Sequence, residues 1–230
     1  MLIREGDQRD FSIDIRLATL LAGVAGALNA AGFQAGGLFS ANMTGNVSAL
    51  SDHLGLGNWG IAALFGALIL AFITGAFVSG LLIEFGRRRG VRAIYAFSIT
   101  VEAILLLLLG ALRIVFPDLG AGHLVLGLSF IMGLQNAATT RISNARVRTT
   151  HVSGMATDIG LGLAALLGAG TDRENALVRL RLYTQTIIAF FLGGILGAVL
   201  YLSIGGYVLV ITAAILFAVA LPEVRRARSS

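Results

Sequence analysis

The sequence contains no cysteine and no lysine, only two prolines, and charged residues make up just 13% of its 230 positions. Each shortage excludes something. Without cysteine there is no disulfide and no thiolate chemistry. Three separated histidines, His53, His123 and His151, do not make a closed zinc site. No segment has the pattern of a phosphate-binding loop, a Ser-His-Asp arrangement or a His-Glu-x-x-His helix, so no cofactor, metal or ATP chemistry is expected. A soluble domain carries about 25% charged residues, roughly twice the fraction here. Such a chain is not built to face water on all sides.

What is present is apolar: 57% hydrophobic residues and 30 glycines, the small residues that let helices approach closely in lipid. Six stretches are long enough to cross a bilayer, whose core needs about 20 helical residues and about 17 at the short end. They are Leu17–Gly36, Ile61–Ile83, Ala93–Val115, Gly122–Thr140, Leu182–Leu202 and Gly205–Leu221. The first imitates a signal peptide in following Arg4, Arg9 and Arg16, but it outruns a usual h-region and is expected to be retained. Trp59 stands where an interfacial anchor belongs. Pro117 and Pro222 fall outside the proposed spans, and residues 117–120 read as a tight turn.

Two segments, 42–57 and 151–169, are short or polar for spans. Each reads as a re-entrant or tucked helix, or as an extra crossing. The basic residues decide, because all 17 are arginine and they sit in clusters between the apolar runs. With six crossings and a cytoplasmic N-terminus, 16 of the 17 share one face, leaving Arg113 to snorkel outward. If only one odd segment crosses, the clusters after it change sides; if both cross, Arg87–Arg92 move outside. The same clustering speaks for membrane orientation and against a nucleic-acid partner. The expected fold is therefore an all-α membrane protein with six transmembrane helices, two short re-entrant or tucked helices, and both termini cytoplasmic.

The chain also repeats itself. Gly26-Ala-Leu-Asn29-Ala30 is echoed by Gly133-Leu-Gln135-Asn136-Ala137, 107 residues on, and Asn42-Met-Thr44-Gly45-Asn46 by His151-Val-Ser153-Gly154-Met155, 109 residues on. The next spans carry the small-xxx-small pairs Gly75/Ser79 and Gly193/Gly197. These pairs serve either to join the halves or to form a homo-oligomer. A single domain over residues 1–230 is expected, with repeats at about 16–116 and 121–222. Each half has three crossings, an odd number, so the halves are expected to be inverted, an arrangement recurrent in transporters.

The segment from Ala22 to Phe33 with Gly37–Asn46, and Gly133–Ala137 with His151–Gly154 in the second half, resembles the YoaK-like family of small bacterial membrane proteins. The resemblance runs from about Arg16 to Pro222. It implies a multi-pass protein of the bacterial inner membrane and supplies neither substrate nor catalytic residue. Met155, where the first half has Asn46, is the main departure.

Candidate chemistry lies in the polar groups at membrane depth. Glu102 is in the middle of the third span, where an ionised carboxylate costs at least about 2.5–3.5 kcal/mol. It is expected to face the interior, neutral or paired, as a proton relay or a hydrogen-bonding lock. Asp158 would reach a polar cavity if its segment tucks into the membrane. Thr44, Gly45, Asn46, Ser153 and Gly154 suit helix starts that either bind an anion or are simply N-capped by Thr44 and Ser153. Asn29 and Asn136 need partners in hydrocarbon. Gln34, Gln135, Thr139 and Gln185 repeat that theme more weakly, and His151 could titrate. The substrate or ion path is thus expected along Asn29, Asn42, Thr44, Asn46, Glu102, Gln135, Asn136, His151, Ser153 and Asp158. The expected function is a small-solute secondary carrier or channel-like transporter with lipid and an unidentified solute or ion as partners, proton-coupled if Glu102 relays. A non-transporting membrane interaction protein and a small intramembrane enzyme are the alternatives.

Overall fold

In the computed structural model the described residues are 2, 10–91, 93–118, 120–168 and 173–228. Arg4, Arg9 and Arg92, counted above in the basic clusters, lie outside them. Eight helices follow in order among these residues: α1 (Phe11–Gly36), α2 (Met43–Gly55), α3 (Trp59–Arg88), α4 (Ile94–Val115), α5 (Ala121–Ile142), α6 (Val152–Leu167), α7 (Arg173–Ile204) and α8 (Tyr207–Arg228). All but α2 and α6 are long and apolar enough to cross a membrane. At 1.5 Å per residue, the 13-residue α2 and 16-residue α6 reach only about 20 and 24 Å, short of a bilayer core of about 30 Å.

Except for α4, which stays within its apolar run, the long helices overrun those runs at their arginine-bearing ends. α1 begins at Phe11, where Asp10 caps it by accepting from the Ile13 N–H, and α3 continues through Arg87 and Arg88. α7 begins at Arg173, nine residues before the apolar run. Pro222 lies inside α8 rather than beyond it, a correction to the expected boundary. Its ring removes one backbone donor, which is tolerated where water can serve the freed carbonyl.

Polarity is distributed as lipid demands. Leu70, Phe77, Phe191 and Leu196 are exposed on α3 and α7, whereas Ser79, Ser98, Glu102, Ser129, Gln135 and Thr139 are buried. In water the reverse would hold. The chain is a multi-pass membrane protein.

The helices pack as α1 with α7, α3 with α5, and α4 with α8, while α2 lies on α3 and α6 on α7. Two of these crossings are built alike. A Cβ on Gly26 would strike the Phe190 carbonyl, and one on Gly193 the Gly23 carbonyl. Likewise a Cβ on Gly133 would strike Phe72, and one on Gly75 Phe130. Gly23 and Gly26 correspond to Phe130 and Gly133 at the 107-residue offset, and Phe72 and Gly75 correspond to Phe190 and Gly193 at 118. The α1/α7 and α3/α5 crossings are therefore the same backbone-to-backbone contact made twice. Gly75, Ser79, Gly193 and Gly197 are all buried within the chain; the three glycines pack against the other half, whereas Ser79 meets Ser98 of α4 in its own half.

The contacts also fix relative direction. In α1/α7, position 23 meets 193 and position 27 meets 197, so the helices run parallel. In α1/α5, Gly36 meets Ala121 and the Leu21 carbonyl accepts from Gln135, which is antiparallel. In α4/α8, Gly110 meets Leu209 while Arg113 meets Gly206, also antiparallel.

Candidate functional site

A cleft of about 830 Å³ opens where the two halves meet. Its lining follows the repeat. Asn29 faces Asn136, Phe72 pairs with Phe190, Met43 with Val152, and Thr44 with Ser153, each couple being equivalent positions of the two halves. Asn42 and His151 complete the series, so the N-termini of both short helices open onto one space.

The two asparagines are held differently. The Asn29 carboxamide oxygen accepts from the Ala41 N–H at 2.9 Å. Because that partner can only donate, the orientation of the amide is fixed and its NH2 is the remaining polar end. Asn29 is only 9% exposed, and its NH2 has no hydrogen-bond partner among the described residues. Asn136 donates to the Met132 carbonyl at 2.8 Å and accepts from the Thr150 hydroxyl at 2.9 Å, so both ends are engaged.

The two helix starts differ in the same sense. Asn42 caps α2, accepting from the Gly45 N–H at 3.1 Å. At α6 the cap position is His151, and its side chain makes no capping bond. The reason is local: Arg148 reaches His151, with Nη1 3.2 Å from Nδ1. An arginine only donates, so Nδ1 is the acceptor in this contact. The backbone N–H groups of Val152, Ser153 and Gly154 consequently have no acceptor among the described residues. Capping by Thr44 and Ser153 does not occur. Both lie inside the first turn, two residues too far along, and Asn42 and His151 hold the cap positions.

Arg148 is delivered by a tightly specified loop. Asn144 and Ala145 adopt left-handed backbone conformations with φ of 50° and 63°. The Ala145 N–H then donates to the Thr140 carbonyl, and the Ser143 hydroxyl accepts from the Val147 N–H. Arg146 pairs with the buried Asp14 of α1 at 2.8 Å. Across the cleft, the position equivalent to Arg148 is Phe39, stacked on Phe33 with ring centroids 4.5 Å apart. One wall is aromatic and the other is cationic and hydroxylic.

Of the ten residues expected along a path, the cleft gathers Asn29, Asn42, Thr44, Asn136, His151 and Ser153. Asn46 is buried behind α2, its amide 3.4 Å from the Phe39 carbonyl. Gln135 is buried between α5 and α1, donating to the Leu21 carbonyl. Asp158 is exposed on α6 and does not reach the cleft, because five residues of helix turn it about 140° from Ser153. Glu102 is fully buried in α4, and neither carboxyl oxygen has a hydrogen-bond partner among the described residues. Sequence reasoning missed Phe72, Phe190, Arg148 and Thr150. The phenylalanines stand at the same 118-residue offset as Gly75 and Gly193, which was the available signal.

The chain belongs to the family described as "Protein of unknown function (DUF1275)", which matches residues 17–221. This is the YoaK-like family of the sequence resemblance. No curated protein and no solved structure matches the chain.

Proposed function

We propose that this DUF1275-family protein is a small-solute secondary carrier made of two inverted three-span halves, with its termini cytoplasmic and the cleft as its binding site. The observation that carries the reading is the lining itself: a site made of equivalent residues from both repeats lies on the axis that relates them. Carriers of inverted-repeat design place their sites there, at interrupted helices. The running directions support the inversion. With α1 taken as up, α3 is down and α4 up, while α5 is down, α7 up and α8 down. If α2 and α6 both crossed, α1 and α5 would run parallel, and they do not. Six crossings also keep the described arginine clusters on one side, as orientation in bacterial membranes requires.

Alternation of access would come from rocking one half against the other about the glycine crossings, where the backbones touch with no side chain between them. Without an ATP motif, accumulation would draw on an ion gradient, with Glu102 as the candidate coupling acid.

Uptake of a panel of radiolabelled solutes into reconstituted vesicles, with and without an imposed proton gradient, tests the reading. Saturable uptake of at least one solute supports it. Absence of flux for the whole panel, beside a working control carrier, favours the interaction-protein alternative. Glu102→Gln is expected to fold and to abolish the effect of the proton gradient. Gradient-driven uptake that persists in this variant would remove Glu102 from the coupling role.

A further inference from the structure

The donors and acceptors of the cleft are strongly unbalanced. Its lining contains no Asp and no Glu. It presents the Arg148 guanidinium, whose only hydrogen-bond partner among the described residues is His151 Nδ1, with no carboxylate beside it. It presents the unpartnered NH2 of Asn29, nine-tenths buried. It also presents the start of α6, where Val152 and Ser153 line the cleft, at the end of a helix whose dipole is positive there. Such a set of donors, short of acceptors, complements negative charge. The remainder of the lining is apolar: Phe39, Phe72, Phe190, Met43 and Val152. A volume of about 830 Å³ exceeds what an inorganic ion fills and lies within the range of organic ligands, about 300–1,000 Å³.

We infer that the cleft binds a small organic anion, a monocarboxylate with an apolar body. The carboxylate is held by Arg148, the Asn29 amide and the start of α6; the body lies between Phe72 and Phe190. This deepens the carrier reading and shares its site, but it is a statement about binding and is tested as one.

The full-length protein in nanodiscs of a zwitterionic lipid is titrated with benzoate and with benzamide, which has the same shape and no charge. Saturable binding of benzoate, about tenfold or more tighter than benzamide, is expected from the value of hydrogen bonds to a charged group. Arg148→Gln is expected to weaken benzoate about tenfold, and Arg148→Lys to recover part of the loss; the wild-type comparison of the two ligands decides even if a variant misfolds. Acetate should bind more weakly than benzoate because it lacks the ring. Equal binding of benzoate and benzamide, or no saturable benzoate signal, would overturn the inference. Displacement of benzoate by phosphatidylglycerol added to the disc would overturn its assignment to a solute and give the site to a lipid headgroup. Benzoate binding without flux leaves this inference standing and fells the carrier reading; flux confined to neutral or cationic solutes does the opposite.

Discussion

At the scale of single residues, the two asparagines separate structural from ligand roles. Asn29→Ala strands the Ala41 N–H, a buried donor that has no rotation available to it. The expected cost is about 1–3 kcal/mol of stability. Asn136→Ala strands the half-buried Thr150 hydroxyl, which can turn to another acceptor, and the expected cost is about 0.5–1 kcal/mol. Thermal unfolding in detergent measures both, and equal losses would contradict the assignment. Both asparagines were legible in the sequence because a lone amide in an apolar run needs a partner. The partners were not legible: Ala41 is a backbone group, and Thr150 comes from a loop whose path depends on two left-handed residues.

At the scale of elements, the two short helices have the same frame and different starts. His151→Asn would give α6 the cap that Asn42 gives α2. It is expected to raise stability by about 0.5–2 kcal/mol while lowering benzoate affinity, since the amide oxygen would occupy an N–H that the anion needs. A calorimetric scan beside a binding titration checks both signs together. A variant that is stabilised and binds as before would show that the α6 start takes no part. Hydropathy located the spans but stopped short at Leu17, Ile83, Leu182 and Leu221. It measures the thickness of lipid that a helix crosses, whereas the helix itself ends where its backbone hydrogen bonds do. Hence α7 continues about 14 Å beyond its apolar run on the arginine side, nine residues at 1.5 Å each.

At the scale of the whole molecule, two of the crossings between the halves, α1/α7 and α3/α5, tolerate nothing at their centres. Gly133→Ala pushes a methyl group into the Phe72 carbonyl and is expected to cost about 3 kcal/mol or more, seen as loss of monodisperse protein. Gly80→Ala on α3 meets nothing within 4 Å and is expected to be neutral or mildly stabilising. The absence of cysteine makes topology directly measurable. Single cysteines at Val91 and Ala145 should resist an impermeant maleimide applied from outside intact cells, and ones at Asp118 and Ile204 should react. Labelling at Val91 would place α3 the other way up. The orientation rests on the arginine count alone and is what this labelling measures; the offsets were legible in the sequence, whereas the depth and contents of the cleft emerged only from packing.

A container with two matching sides would accept a one-headed guest equally well in either of two flipped poses. Here Asn42 closes one helix start and Phe39 stands opposite Arg148, so the degeneracy is broken and a single orientation remains. On the proposed carrier reading, a guest held in that one pose leads with the same end from entry to exit, and reversing the direction of transport reverses which end meets the aqueous exit.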